Sequence, residues 1–406
     1  MNERDLFSLA LGIVSPWFIV NTEFNVKDKR LDLYLDFKKG SHFCCPECGA
    51  SSPVHDTTKR TWRHLDFFQH HAFLTARVPR TKCAKCGVKQ VLLPWARPDS
   101  GFTLLFEALL LRLAMEMPVD AVATLASVDD MFIWRMLDHY VDRGVLDQDI
   151  SKVTAIGIDE CSKQKGQQYI TTFCDLDKSR VIYVAEGRST DTVDKFGEHL
   201  DNKGVPREQI KEVCVDMWQA YFSGVEKNLP NAKVTFDRYH VMTYINKAVD
   251  ETRRQEIKEN PILKDTRYLW LKNPDNLTEK QKIKLSIVKS QDLKTVRAYH
   301  IKLSFQKLWE IETLYAAKKY LEGCLSWASH SKLEAFAEVT GLIKRHMDGI
   351  LRYLESRISN GVVEGVNSKI KTAVKRAYGF KSFSYYKTTI YLVAGKLKLQ
   401  KFCQAL

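Results

Sequence analysis

Three short strand-like segments of this 406-residue chain run into an aspartate. Val153 to Ile158 leads into Asp159 and Glu160, Lys211 to Val215 into Asp216, and Lys233 to Phe236 into Asp237. Val153 to Ile158 is apolar apart from one Thr and one Gly, the pattern of a strand buried on both faces. Side chains at the C-terminal ends of such strands project into the crevice where open α/β sheets hold ligands. A carboxylate there costs free energy unless a metal, a proton or a basic partner compensates it. Taken singly, each segment is equally a strand and a polar turn. Three together restrict the fold.

The surrounding pattern predicts the rest of a sheet. Gln168 to Leu176 and Arg180 to Gly187 read as strands, with Asp177-Lys178-Ser179 as their turn. Thr190 to Gly204 and Trp218 to Leu229 read as helices. Three hairpin-type strands followed by alternating helix and strand describe a ribonuclease H-like arrangement. Its first and fourth strands are neighbours, which would bring Asp159 and Asp216 together. Two close carboxylates repel unless a cation sits between them. Hard oxygen ligands suit Mg²⁺ or Mn²⁺. A further carboxylate is offered by Ser359-Asn360-Gly361-Val362-Val363-Glu364, a turn signal followed by a helical pattern. That helix would carry Glu364, Asn367, Ser368 and Lys371 on one face. Between sheet and helix, residues 241–355 read as a charged helical insertion, clearest over Ile301 to Leu325 and Lys332 to Tyr353.

Upstream, Cys45-Pro46-Glu47-Cys48-Gly49 and Cys83-Ala84-Lys85-Cys86-Gly87 are two C-x-x-C-G knuckles. Each lets two thiolates reach one tetrahedral ion, and the pair closes a four-sulfur structural Zn²⁺ site. Strand-like stretches such as Ala72 to Val78 predict a small β unit between them. Cys44, or one of His42, His55, His64, His70 and His71, is an alternative ligand.

Phe102 to Met117, Pro118 to Ala126 and Met131 to Arg143 follow as three helical patterns. Pro118 suits a first helical position, Asp130 a cap and Gly144 a stop. The third would bury Ile133, Met136, Leu137, Tyr140 and Val141, leaving Trp134, Arg135, His139 and Arg143 outward. This is a helix-turn-helix pattern, although a helical linker has the same periodicity and Asp138 and Asp142 would repel phosphates.

Lys and Arg number 62 against 49 Asp and Glu, a formal charge of +13. Such a surplus favours a polyanionic partner, nucleic acid before a membrane surface. From Gly365 to Leu406 there are nine Lys or Arg, among them Lys369, Lys375 and Arg376, and no Asp or Glu. The tail is a candidate DNA contact or a solvated basic helix. No uncharged run reaches the roughly 18 to 20 residues that span a bilayer. With no signal-like start, the chain is expected to be cytoplasmic, its ten cysteines ligands or thiols rather than disulfides.

Taken in order, these motifs resemble the ISL-three family of bacterial insertion-sequence transposases, of the DDE type. The likeness rests on the two knuckles, the helix-turn-helix region, Gly157-Ile158-Asp159-Glu160 and Val215-Asp216-Met217. It continues through Asp237-Arg238-Tyr239-His240, Asn360 to Lys371 and Ala377-Tyr378-Gly379-Phe380. It covers nearly the whole chain.

The resemblance implies a catalytic triad of Asp159, Asp216 and Glu364 holding Mg²⁺ or Mn²⁺. Asp237, His240, Asn367 and Lys371 are supporting residues. It implies a multidomain α+β protein with a zinc-binding domain over 1–100, a helix-turn-helix domain over 101–150 and a ribonuclease H-like catalytic domain over 151–406. Its DNA partners would be the terminal inverted repeats of its own element and a target, bound by a homodimer or higher oligomer. The competing readings are a catalytically inactive DNA-binding regulator and a nuclease that cuts without joining.

Overall fold

The computed structural model describes residues 3–162, 169–356 and 361–399. It divides into two compact units, one of residues 1–148 with 373–406, the other of 149–372. The segment from Ala373 onward, expected to close the catalytic domain, is therefore part of the same unit as the N-terminal half.

The first unit opens with α1 (Glu3–Ala10), β1 (Trp17–Asn25), β2 (Arg30–Phe37), β3 (His42–Cys44), β4 (Ser51–Arg63), β5 (His71–Cys83) and β6 (Gly87–Gln90). The sheet runs β1-β2-β5-β4-β3, with β6 on the far half of β5. β2 alternates Leu31, Leu33, Leu35 and Phe37 inward with Asp32 and Asp36 more exposed, the period of two that a half-buried strand requires. Trp17, Trp62 and Trp95 fill the core, Trp17 meeting Trp95 edge-on at 4.8 Å. The expected β unit between the knuckles is thus β4 and β5.

Three helices follow, α2 (Leu104–Glu116), α3 (Val119–Ala126) and α4 (Asp130–Leu146). Three expected ends move. Pro118 is the N-cap of α3 rather than its first helical residue, and Asp129 rather than Asp130 caps α4, accepting from Met131 N at 2.8 Å. Gly144 lies inside α4. It is glycine because Leu397 and Leu399 press on it: an added Cβ would come 2.8 Å from Leu399. Glu107 of α2 is fully buried and accepts from Arg97 at 2.8 Å, Ser100 Oγ at 2.6 Å and the Tyr140 hydroxyl at 2.6 Å. That paired network joins the segment after the β sheet to both α2 and α4, so residues 1–100 and 101–148 share one body.

The second unit carries β7 (Ala155–Ser162), β8 (Tyr169–Asp175), β9 (Arg180–Glu186), α5 (Thr190–Asn202), β10 (Glu212–Val215), α6 (Gln219–Asn228) and β11 (Lys233–Phe236). Sheet order is β11-β10-β7-β8-β9, with β10 and β11 parallel to β7 and the hairpin strands antiparallel. β7 does not end on its carboxylates. Parallel pairing with β10 stops at Ile158, while antiparallel pairing with β8 runs on to Ser162.

Next come α7 (Arg238–Glu256), α8 (Arg267–Leu271), α9 (Glu279–Lys289), α10 (Lys294–Lys307), α11 (Leu314–His330), α12 (Glu334–Arg345), α13 (Met347–Ser356) and α14 (Gly361–Arg376). The stretch Ile301 to Leu325 is two helices, because a short 3₁₀ turn at Leu308–Glu310 intervenes and Thr313 caps a new start. Lys332 to Tyr353 is likewise interrupted at His346. Buried polar groups pin these helices. Glu256 accepts from Lys294 N and Thr295 N at the start of α10, at 2.7 and 2.8 Å. Lys302 Nζ donates to the carbonyls of Trp270, Leu271 and Lys272 at the end of α8. Both satisfy helix-end groups that lack intrahelical partners. The expected turn at Ser359-Asn360 lies outside the described residues. The last helix, α15 (Phe383–Ala394), belongs to the first unit and packs on α4.

Candidate active site and metal centre

Strand register places the first two carboxylates. Ile158 pairs with Val215, and Val215 with Phe236. The residues that follow these three in the chain are Asp159, Asp216 and Asp237, so the three aspartates form a row at one end of the parallel pairing. Side chains at matching positions of parallel strands share a face.

Asp159 is held from two sides. Glu160 N donates to its Oδ1 at 2.7 Å, and Asn367 Nδ2, from α14, donates to Oδ2 at 2.6 Å. Burial pushes its carboxyl up; the Glu160 N–H and nearby His240 oppose that, and Asp216 adds to it. Asp216 accepts from Met217 N at 2.6 Å and has His240 Nδ1 at 3.6 Å. Asp237 is buried and caps α7, accepting from Tyr239 N at 2.6 Å. That cap sets where α7 begins, and so places His240 on its first turn beside Asp216.

Glu364 and Lys371 are exposed on α14, while Asn367 between them is buried. The helix therefore presents the expected residues, but only Asn367 hydrogen-bonds to Asp159. Among the described residues, the only group of three or more acidic, His or Cys side chains whose ligand atoms all lie within 4.8 Å of one another is the four-cysteine cluster. The carboxylates thus supply the right donors for a hard cation without being closed to ligating distance.

One residue that sequence reasoning passed over belongs here. Cys161 is buried and shares the Asp159 face of β7, two residues on. Its Sγ donates to Asn367 Oδ1 at 3.2 Å. That fixes which end of the amide faces Asp159. The i, i+2 spacing carried the signal. Glu160, alternating to the other side, lies 3.9 Å from Arg188 Nη1.

The second centre is in the first unit. Cys45 and Cys48 sit in the turn from β3 to β4, while Cys83 ends β5 and Cys86 lies in the turn to β6. Gly49 and Gly87 adopt φ of +73° and +79°, the left-handed backbone the knuckles require. Backbone N–H groups of Cys86 and Lys85 push the Cys83 thiol down to about 6. The four sulfurs lie within 4.8 Å of one another. Tetrahedral Zn²⁺ at about 2.3 Å from each sulfur needs them about 3.8 Å apart, so the cluster fits zinc. Neither Cys44 nor a histidine joins this cluster.

The expected DNA-facing residues of α4 divide. Ile133, Met136, Leu137, Tyr140 and Val141 are buried as the period predicts. Arg135, His139 and Arg143 are exposed, the last two bordering a cavity of about 690 Å³. Trp134 is corrected: it is buried and stacks on Tyr385 of α15 at 4.1 Å, nearly parallel. Asp138, on the same side, accepts from Thr388. The third helix has a second apolar neighbour that arrives some 250 residues later in the chain. Lys369, Lys375 and Arg376 are exposed along α14.

Comparison with known proteins gives three adjoining matches. Residues 41–86 match a zinc-finger of the transposases of IS204, IS1001, IS1096 and IS1165. Residues 91–141 match a helix-turn-helix domain of transposase family ISL3. Residues 156–390 match the transposase domain of that family. Over most of its length the chain is similar to the transposase for insertion sequence element IS1557 of Mycobacterium tuberculosis (strain ATCC 25618 / H37Rv). They are 29% identical over 94% of this chain and 93% of the relative. The transposase for insertion sequence element IS1001 of Bordetella parapertussis is 27% identical over 84% and 86%.

Proposed function

The chain belongs to the ISL3 family of transposases, and from that premise we propose that it moves DNA by the DDE route. On this reading it hydrolyses a phosphodiester at each end of its element and joins the freed 3′-hydroxyl to target DNA. The second unit is then a ribonuclease H-like catalytic domain, a reading its strand order β9-β8-β7-β10-β11 supports. One observation carries the chemistry: Asp159 and Asp216 sit side by side on registered parallel strands, and α14, bearing Glu364, is bonded to Asp159 through Asn367.

Asp159, Asp216 and Glu364 are the residues that would hold Mg²⁺ or Mn²⁺. Such ions, when bound, supply Lewis-acid activation of the attacking oxygen and neutralise charge on the leaving one. The remaining work falls to the chain itself. Asn367 and the Glu160 N–H orient the Asp159 carboxylate. The Met217 N–H and His240 orient that of Asp216. Exposed Lys371 stands one turn beyond Asn367, where an ammonium can meet a DNA phosphate. Arg135, His139 and Arg143 on α4, with Lys369, Lys375 and Arg376 on α14, are the proposed DNA contacts. Zinc in the four-cysteine cluster fastens the two knuckles of the N-terminal sheet.

The test is substitution without loss of shape. Asp159→Asn, Asp216→Asn and Glu364→Gln should each abolish cleavage and strand transfer while binding end DNA almost as the parent does. Mobility shift and strand-transfer assays on one DNA read both properties. Joining at near-parent rate by any of the three would remove that residue from the site. Cleavage without joining by the parent chain would make it a nuclease instead.

A further inference from the structure

Trp218 follows Asp216 by two residues, and its side chain is 43% exposed. Its ring is nevertheless held in place. Nε1 donates to the Arg188 carbonyl at 3.2 Å, and the Arg188 guanidinium lies 4.8 Å from the ring centroid. The same guanidinium lies 3.9 Å from the centroid of Tyr169. Glu160 Oε2, next to Asp159, is 3.9 Å from Arg188 Nη1. Tyr169 opens β8, Arg188 follows β9 and Trp218 follows β10, so topology gathers all three at the end of the sheet that carries the carboxylate row.

Among the described residues, Trp218 stands outside the buried core of the unit. An indole on the surface beside a carboxylate row exposes apolar area to water. A backbone hydrogen bond and a cation stacked on the ring fix its orientation. A rigid aromatic face joined to a guanidinium is the chemistry that meets single-stranded nucleic acid, the ring taking a base and the cation a phosphate. A base within a duplex has both faces covered by its neighbours, so the ring can receive only one that has left the stack.

We propose that Arg188 and Trp218, backed by Tyr169, form a subsite for one unpaired deoxynucleotide of the DNA strand beside the bond to be cut. This deepens the reading above and rests on it, because the occupant is identified as DNA by the neighbouring carboxylates. Glu160 has a place in the subsite as the counter-charge that holds the guanidinium near the sheet end.

The test is binding by the full chain without divalent ions. The probes are a blunt hairpin duplex and the same hairpin with a single-stranded tail of about six nucleotides carrying one 2-aminopurine. The parent should bind the tailed probe more tightly and quench the 2-aminopurine. Trp218→Ala should weaken tailed-probe binding by roughly 10-fold, abolish the quenching and leave the blunt duplex unaffected. Trp218→Phe should keep most of both, and it guards against a folding defect in the alanine variant. Arg188→Gln should reduce the salt dependence of tailed-probe binding. A parent that shows no preference for the tail, or a Trp218→Phe and Trp218→Ala pair that both quench as the parent does, overturns the subsite. Weaker binding of both probes by Trp218→Ala makes the residue structural, which also overturns it. The catalytic reading fails on a different measurement, cleavage by Asp216→Asn, so the two failures are distinguishable.

Discussion

Single side chains in this protein are set by what surrounds them more than by their type. His64 was one of several histidines near the cysteine knuckles that could have replaced a thiolate. It lies instead in the core of the first unit, with Nδ1 2.8 Å from Thr103 Oγ1. Burial, with Arg63 beside it, pushes the imidazole down to about 4, against about 6.5 in an unfolded chain. Between those two values the unfolded chain binds a proton that the folded chain does not. Stability tied to this residue is therefore complete above pH 6.5 and is lost as pH falls toward 4. The loss is about 2 kcal/mol by pH 5. Replacing His64 with Gln keeps a neutral polar group and removes the titration. Melting temperatures at pH 7 and pH 5 should then differ less for His64→Gln than for the parent, and an unchanged difference would remove His64 as the cause.

Elements are where sequence pattern and three-dimensional outcome part company. In the sequence pattern Asp237 follows a strand-like run as Asp159 and Asp216 do, and on pattern alone the three are equivalent. The sheet aligns all three, yet Asp237 turns its carboxylate onto Tyr239 N and starts α7. Asn caps a helix as well as Asp, whereas Ala costs about 1 kcal/mol. Asp237→Asn should keep most of the parent's cleavage activity and melting temperature, and Asp237→Ala should lower the melting temperature. If Asp237→Asn instead loses cleavage as Asp159→Asn does, the residue is a ligand and not a cap. Strands, hairpin and knuckles were legible because each has a local signature: a period of two, a turn, a C-x-x-C-G. The row of aspartates followed from knowing which strands pair. What could not be read was side-chain company from afar. Asn367 bonds to Asp159 across 208 residues, and Cys161 to Asn367 across 206. The breaks inside the helical insertion were hidden because apolar spacing continues through the turns at Leu308–Glu310 and His346.

At the scale of the molecule, the first unit is discontinuous in sequence, and this changes what a truncation means. By its charge pattern the basic C-terminal stretch beyond Glu364 reads as a DNA contact or a solvated helix. In the structure, α15 covers the side of α4 that carries Trp134 and Asp138, through the stack with Tyr385 and the bond from Thr388 at 2.6 Å. Beyond it, Gly395 O accepts from Gln148 Nε2 at 3.0 Å, and Leu397 and Leu399 lie against Gly144. Tyr386, Ile390, Tyr391 and Leu392 of α15 are buried. Burying four such side chains contributes on the order of 6 kcal/mol or more, comparable with the whole stability of an ordinary domain. A chain ending at Arg376 keeps Asp159, Asp216 and Glu364 but uncovers the third helix of the helix-turn-helix. It should melt at a markedly lower temperature, show red-shifted tryptophan emission as Trp134 meets water, and lose end-DNA binding along with cleavage. Tyr385→Ala should move the same readouts in the same direction by less. If the shortened chain binds end DNA and melts as the full chain does, the N-terminal 148 residues fold without α15, and the tail is a DNA-binding arm after all.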